Sequence, residues 1–155
     1  MAEQVERREL RFDSLHDAVA DAERLAQGNV RTTGEHTFGQ IVEHLARTHD
    51  MATGKTTGPT LPFFMRLMMP FLKGSILNAP AKPGFKLPPA AQEFFWPDGD
   101  VDVQQAVAHL KQSVENYYSN GPLKVHPVFG KATREQIDNL NITHCAMHLS
   151  FVHPA

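Results

Sequence analysis

A chain of 155 residues, 41% of them apolar, has the length of one domain spanning 1–155 and enough apolar mass for a single core. Fifteen basic and seventeen acidic residues leave a formal charge of −2, which excludes the basic surface expected of a nucleic-acid-binding protein. The single cysteine, Cys145, excludes an internal disulfide and fits a reducing compartment.

The charged start, Met-Ala-Glu-Gln-Val-Glu-Arg-Arg-Glu, has no apolar core of a secretory leader, so the expected location is cytoplasmic. A first helix is predicted from Ser14, an N-cap with Asp17 three residues on. It places Leu15, Ala18, Val19, Ala22, Leu25 and Ala26 on one face and stops at Gly28. A second helix begins near Thr37, carries Phe38, Ile41, Val42, Leu45 and Ala52, and ends at Thr53-Gly54. His44 lies at one edge of that apolar arc, about 60° from Ile41.

Between Lys55 and Gly99 the pattern breaks, because eight of the eleven prolines fall there. The stretch reads as a long Pro-rich crossover between helices 2 and 3, with at most short helices within 61–78. A connection of this length is a candidate wall for a pocket. Its most apolar run, Leu61 to Leu72, is twelve residues broken by Pro62, Arg66 and Pro70. It is too short to cross a bilayer and reads most simply as a cover packed on the core, with a membrane-surface or partner-binding element as the functional alternative. Phe94, Phe95 and Trp96 are expected to anchor the crossover to the core.

The third helix starts after Asp100 or Asp102 and runs Val103, Val107, Leu110, Val114 and Tyr117 along one face until Asn120-Gly121-Pro122. A turn at 126–130 leads into the fourth helix, where Thr133 and Gln136 have the spacing of a capping box. With no alternating strand pattern and no repeat, the fold class is all-α, a four-helix bundle.

The fourth helix carries two of the nine histidines, His144 and His148, in the middle of its apolar stripe. Ile137, Leu140, Met147 and Phe151 all fall within about 60° of His144. Side-by-side interior imidazoles need partners; a divalent ion satisfies both, and residues four apart on a helix can converge on one ion. Hydrogen-bonded core histidines are the simpler alternative. The best third ligand from a facing helix is His44, since His49 lies about 140° round the helix from it, His36 precedes the helix and His153 lies on the far side of helix four. His16 and His109 read as solvated surface residues, His126 as a turn-stabilising residue and Cys145 as a small apolar filler. No Glu-x-x-His occurs, which excludes a carboxylate-bridged di-iron bundle, and neither His-Glu-x-x-His nor a Gly-rich phosphate loop is present.

Gly-Gln-Ile-Val-Glu-His-Leu-Ala at 39–46, followed about a hundred residues later by His-x-x-x-His-Leu at 144–149, resembles the DinB/YfiT-like superfamily of bacterial metal-binding four-helix bundles. Arg-Arg-Glu-Leu-Arg-Phe at 7–12, Pro-Gly-Phe-Lys-Leu-Pro at 83–88 and His-Pro-Val-Phe-Gly at 126–130 are similar to an uncharacterised branch of it. The resemblance implies one divalent metal on His44, His144 and His148, a homodimer, and in better-known relatives activation of a low-molecular-weight thiol. It also implies an aromatic residue, usually Trp, where this chain has His36.

Three neutral imidazoles leave an open fourth coordination position, the pattern of a catalytic site. The expected function is therefore a metal-dependent enzyme, a thiol-dependent transferase or a hydrolase, with zinc or nickel as cofactor and a small-molecule substrate. A non-catalytic metal or ligand sensor is the alternative, because no general base stands out: Glu43 reads as solvent-facing, and Asp50 could serve only if the chain bends. No nucleic-acid or membrane partner is expected.

Overall fold

The computed structural model describes residues 5–155 and is mostly helical. The part of the charged start at 1–4 lies outside the described residues. Its helices are α1 (Leu15–Leu25), α2 (Phe38–Ala52), α3 (Phe63–Leu77), α4 (Pro89–Phe95), α5 (Val103–Asn120) and α6 (Arg134–Leu149). The short strands are β1 (Val30–Thr32), β2 (Val125–His126), β3 (Gly130–Lys131) and β4 (Val152–Pro154).

The helix starts follow from local chemistry. Ser14, Thr37 and Thr133 each accept from the backbone N–H three residues on, while Asp17, Gln40 and Gln136 reach back to the cap backbone, so three helices open with a full capping box. Asp102 caps α5 by accepting from the Gln105 N–H. The apolar faces then meet: α2 packs along α5, α5 against α1, α1 against α6 and α6 against α2, with α3 resting on α6 and α4 on α2. Leu15, Leu45, Leu110, Val114, Tyr117, Ile137 and Leu149 fill the space between them.

Gly39 marks the tightest approach, in the first turn of α2. A β-carbon there would land on the carbonyl oxygen of Val101, a backbone atom with no rotamer to move. Gly39→Ala is expected to cost about 1–3 kcal/mol through overpacking and to lower the melting temperature by several degrees. An unchanged thermal melt would mean that the 97–102 loop yields freely.

Three expectations need correction. The chain is not purely α: β1 pairs antiparallel with β4, with Arg31 opposite His153, and β2 pairs with β3. The crossover holds a fifteen-residue helix, α3, within the expected 61–78, and a seven-residue one, α4, that the sequence reading placed in loop. Nor is α3 a cover on the core, since only Leu77 of its residues is buried.

Candidate metal centre

The buried line of α6 is Ile137, Asn141, Cys145 and Leu149, centred roughly 80° round the helix from His144. His144 and His148 therefore stand at the edge of that line, not in its middle, half-buried and facing α2. Phe151 lies beyond the helix end. From α2, His44 is buried and turned toward them. The Nε2 atom of His144 lies 3.4 Å from Nε2 of His44 and 3.0 Å from Nε2 of His148. One ring nitrogen from each of the three lies within 4.8 Å of the others.

The ring of His44 is fixed from two sides. Its Nδ1–H donates to the carbonyl oxygen of Phe95 at 3.1 Å, which leaves the Nε2 lone pair pointing into the cluster. Trp96 stacks on its face, with ring centroids 3.8 Å apart and planes 3° from parallel. His36 stacks on Trp96 at 3.7 Å. Trp96 of the crossover thus lies between His44 and His36. Phe95 and Trp96 anchor the crossover as expected, and Trp96 also builds the wall of the cluster.

All three imidazoles are held neutral. Burial lowers His44 well below the usual histidine range, with the neighbouring His144 adding to the effect. Burial brings His144 down to about 4. His148 is lowered further, by burial first and then by His144 and His44. Neutral imidazoles with converging lone pairs are what a divalent ion requires of its ligands.

The remaining histidines divide cleanly. His126 stabilises its turn by accepting at Nδ1 from the Val128 and Phe129 N–H groups, 3.1 and 3.3 Å away. His16 is exposed and stacks on Tyr118. His153 lies in β4, within hydrogen-bond reach of Thr33 and the Glu6 carbonyl. His49 is fully buried, with Nε2 4.0 Å from Sγ of Cys145, whose thiol burial pushes up to about 12. Cys145 is thereby the inert filler expected of it.

His109 corrects the sequence reading. It is not a solvated surface residue: Nδ1 donates to Glu43 at 2.9 Å and Nε2 to Asp50 at 2.7 Å, so both nitrogens carry protons and the ring is an imidazolium. The bond to Glu43 raises its pKa against the opposing effect of burial. Burial pushes Glu43 upward, but the bonds from His109 and Arg47 bring it below the usual carboxylate range. Glu43 is therefore not solvent-facing, and neither it nor Asp50 belongs to the three-histidine cluster. No sequence motif marks this bridge. The available signal was two acids seven residues apart on α2 with a histidine opposite.

A family model described as "Protein of unknown function (DUF1569)" matches residues 4–155. No curated protein and no solved structure matches the chain. The chain belongs to the DUF1569 family.

Proposed function

We propose that this member of a family whose description assigns no activity is a metal-dependent enzyme. Its centre is His44, His144 and His148, on a four-helix bundle of the DinB/YfiT-like kind formed by α1, α2, α5 and α6. The observation that carries the reading is the convergence of three neutral imidazole nitrogens from two helices. Nitrogens at about 2.0–2.1 Å from a tetrahedral ion stand about 3.3 Å apart, and the two distances to His144 Nε2, 3.4 and 3.0 Å, are near that edge length. Without an ion, the same two contacts require His144 to carry its proton on Nε2 and donate it to its neighbours. A donor set of three imidazoles suits zinc or nickel.

A bound divalent ion supplies Lewis acidity that lowers the pKa of a water or thiol in an open fourth position. The protein supplies the rest. Phe95 fixes the tautomer and orientation of His44, and Trp96 with His36 gives the site an aromatic wall that keeps bulk water from one side. Of the crossover, the candidate wall of a pocket, it is Trp96 that lines the cluster, while Phe63, Phe64, Leu67, Met68 and Phe71 are exposed. The substrate is a small molecule, and the reaction is thiol-dependent transfer or hydrolysis.

The sensor reading has one observation in its favour: the acids Glu43 and Asp50 are both tied to His109, so neither is poised as a general base at the cluster. Thiol-dependent transfer is the version least affected, since an ion that lowers a thiol's pKa leaves little for a protein base to do. Cobalt separates the readings, because a thiolate on cobalt adds a sulfur-to-metal charge-transfer band. The band is expected when a small cellular thiol is titrated into the cobalt-loaded protein. Its absence across several such thiols removes the transferase and leaves hydrolase or sensor.

A further inference from the structure

The exposed apolar surface of this protein is concentrated. Among the described residues eleven large hydrophobic side chains are exposed, and seven of them, Phe63 to Leu72 and Phe85, lie between residues 63 and 85. On α3 the solvent-facing arc carries Phe63, Phe64, Leu67, Met68 and Phe71 within about 140° of the wheel and no charged residue. Phe63 is 78% and Phe71 83% exposed. The half-buried Met65, Met69 and Ile76 lie on the opposite side, where α3 rests on α6. The helix thus turns an apolar face outward, which a water-facing element of a soluble domain does not do without a reason.

Charge says what the face meets. From residue 51 to residue 92 the chain holds Lys55, Arg66, Lys73, Lys82 and Lys86 and not one acidic residue. The remainder carries ten basic and seventeen acidic residues, so the longest acid-free stretch of an acidic chain, with five basic residues, coincides with its exposed apolar helix. Arg66 borders the outward arc, and Lys82 and Lys86 flank the 70% exposed Phe85. This second exposed turn is tied to α6 through the Ala81 N–H to Thr143 Oγ1. A second copy of the chain pairing face to face would set these positive charges against their own kind with no acid to neutralise them.

We propose that α3 with the 82–86 turn docks this protein on an anionic lipid surface. The phenylalanines and Leu67 enter the headgroup and upper acyl region, while the lysines and Arg66 meet lipid phosphates. This departs from the expectation of no membrane partner and is independent of the metal. At fifteen residues, about 22 Å, α3 is too short to span the bilayer and lies along it; no helix of the described chain is long and apolar enough to cross one.

The test is co-sedimentation of the full chain with vesicles of phosphatidylcholine containing about a third phosphatidylglycerol, against phosphatidylcholine alone. Binding is expected to the first and to be at least tenfold weaker to the second. Phe64→Asp with Phe71→Asp, both at exposed positions, should abolish it while the melting temperature and solution mass stay unchanged. Lys82→Gln with Lys86→Gln should weaken it roughly twenty-five-fold, at about fivefold per charge near an anionic surface. Equal binding to both vesicles, or undiminished binding by the double aspartate variant, overturns the proposal. So does failure of the natural chain to bind anionic vesicles. If in that case the chain is a dimer that the two aspartates dissociate, the face belongs to a second copy instead.

Discussion

Protein purified without an affinity tag and loaded with zinc is expected to hold one ion per chain, and His144→Ala to hold none. His144 is the variant of choice because its Nε2 is the atom both other nitrogens approach. Losing one of three protein ligands leaves two imidazoles, too few to hold an ion against dialysis. His16→Ala, at an exposed position on α1, is the matched control and should retain full occupancy. The same binding should register in stability, because a ligand that binds only the folded chain stabilises it by mass action. A thousandfold excess over Kd contributes about 4 kcal/mol, on the order of 10 °C for a domain of this size. In His144→Ala that rise should vanish. Metal content unchanged by the substitution, measured by elemental analysis, would remove the site.

Helices α1, α2, α5 and α6 were legible because their signals are local. Ser14, Thr37, Asp102 and Thr133 cap helices by bonds that reach only three residues, and the apolar spacing that follows needs no knowledge of the rest of the chain. His44, His144 and His148 were legible as a set, since residues four apart on one helix share a face and a third donor had to come from a facing helix. What the wheel could not give was rotation. It centred α6 on His144, whereas packing against α1 and α2 buries the line through Cys145. Strands of two or three residues are too short to alternate, so β1 and β4 left no pattern and exist only because their partners lie 120 residues apart in sequence and adjacent in space. His109 failed for a related reason. An off-stripe position shows only which way a side chain does not point, and the acids it meets belong to another helix. Trp96 was assigned to anchoring on hydrophobicity alone, and its stacking on His44 depends on a crossover path no local rule specifies.

Acid should unfold the metal-free protein early, and the reason lies in its buried histidines. His49 is brought by burial to about 3, and His126 and His144 to about 4. Above the unperturbed value of about 6.5 both the folded and unfolded chains leave these rings neutral, and they contribute nothing to pH dependence. Below it the unfolded chain takes up protons that the folded chain refuses, so each ring subtracts up to about 1.4 kcal/mol per pH unit until its folded pKa is reached. At pH 5 the three together remove on the order of 6 kcal/mol, comparable with the whole stability of a domain with about 5–15 kcal/mol to lose. His44 and His148 shift in the same direction and add to the loss. His109 works against it: its pKa is raised, so its contribution is fully present below about 6.5 and fades as pH rises through its folded value, but it is one ring against five. Thermal melts of the metal-free chain should therefore be nearly flat from pH 8 to 7 and fall steeply between 6.5 and 5. Bound metal should delay the fall until protons compete for the three ligands. His126→Asn isolates one contribution, because the amide oxygen can still accept from the Val128 and Phe129 N–H groups but does not titrate. Its stability should decline with a slope lower by about one proton. A slope identical to that of the natural chain would mean that His126 takes its proton without unfolding, and a melting temperature level down to pH 5 would mean that none of these rings is held neutral by the fold.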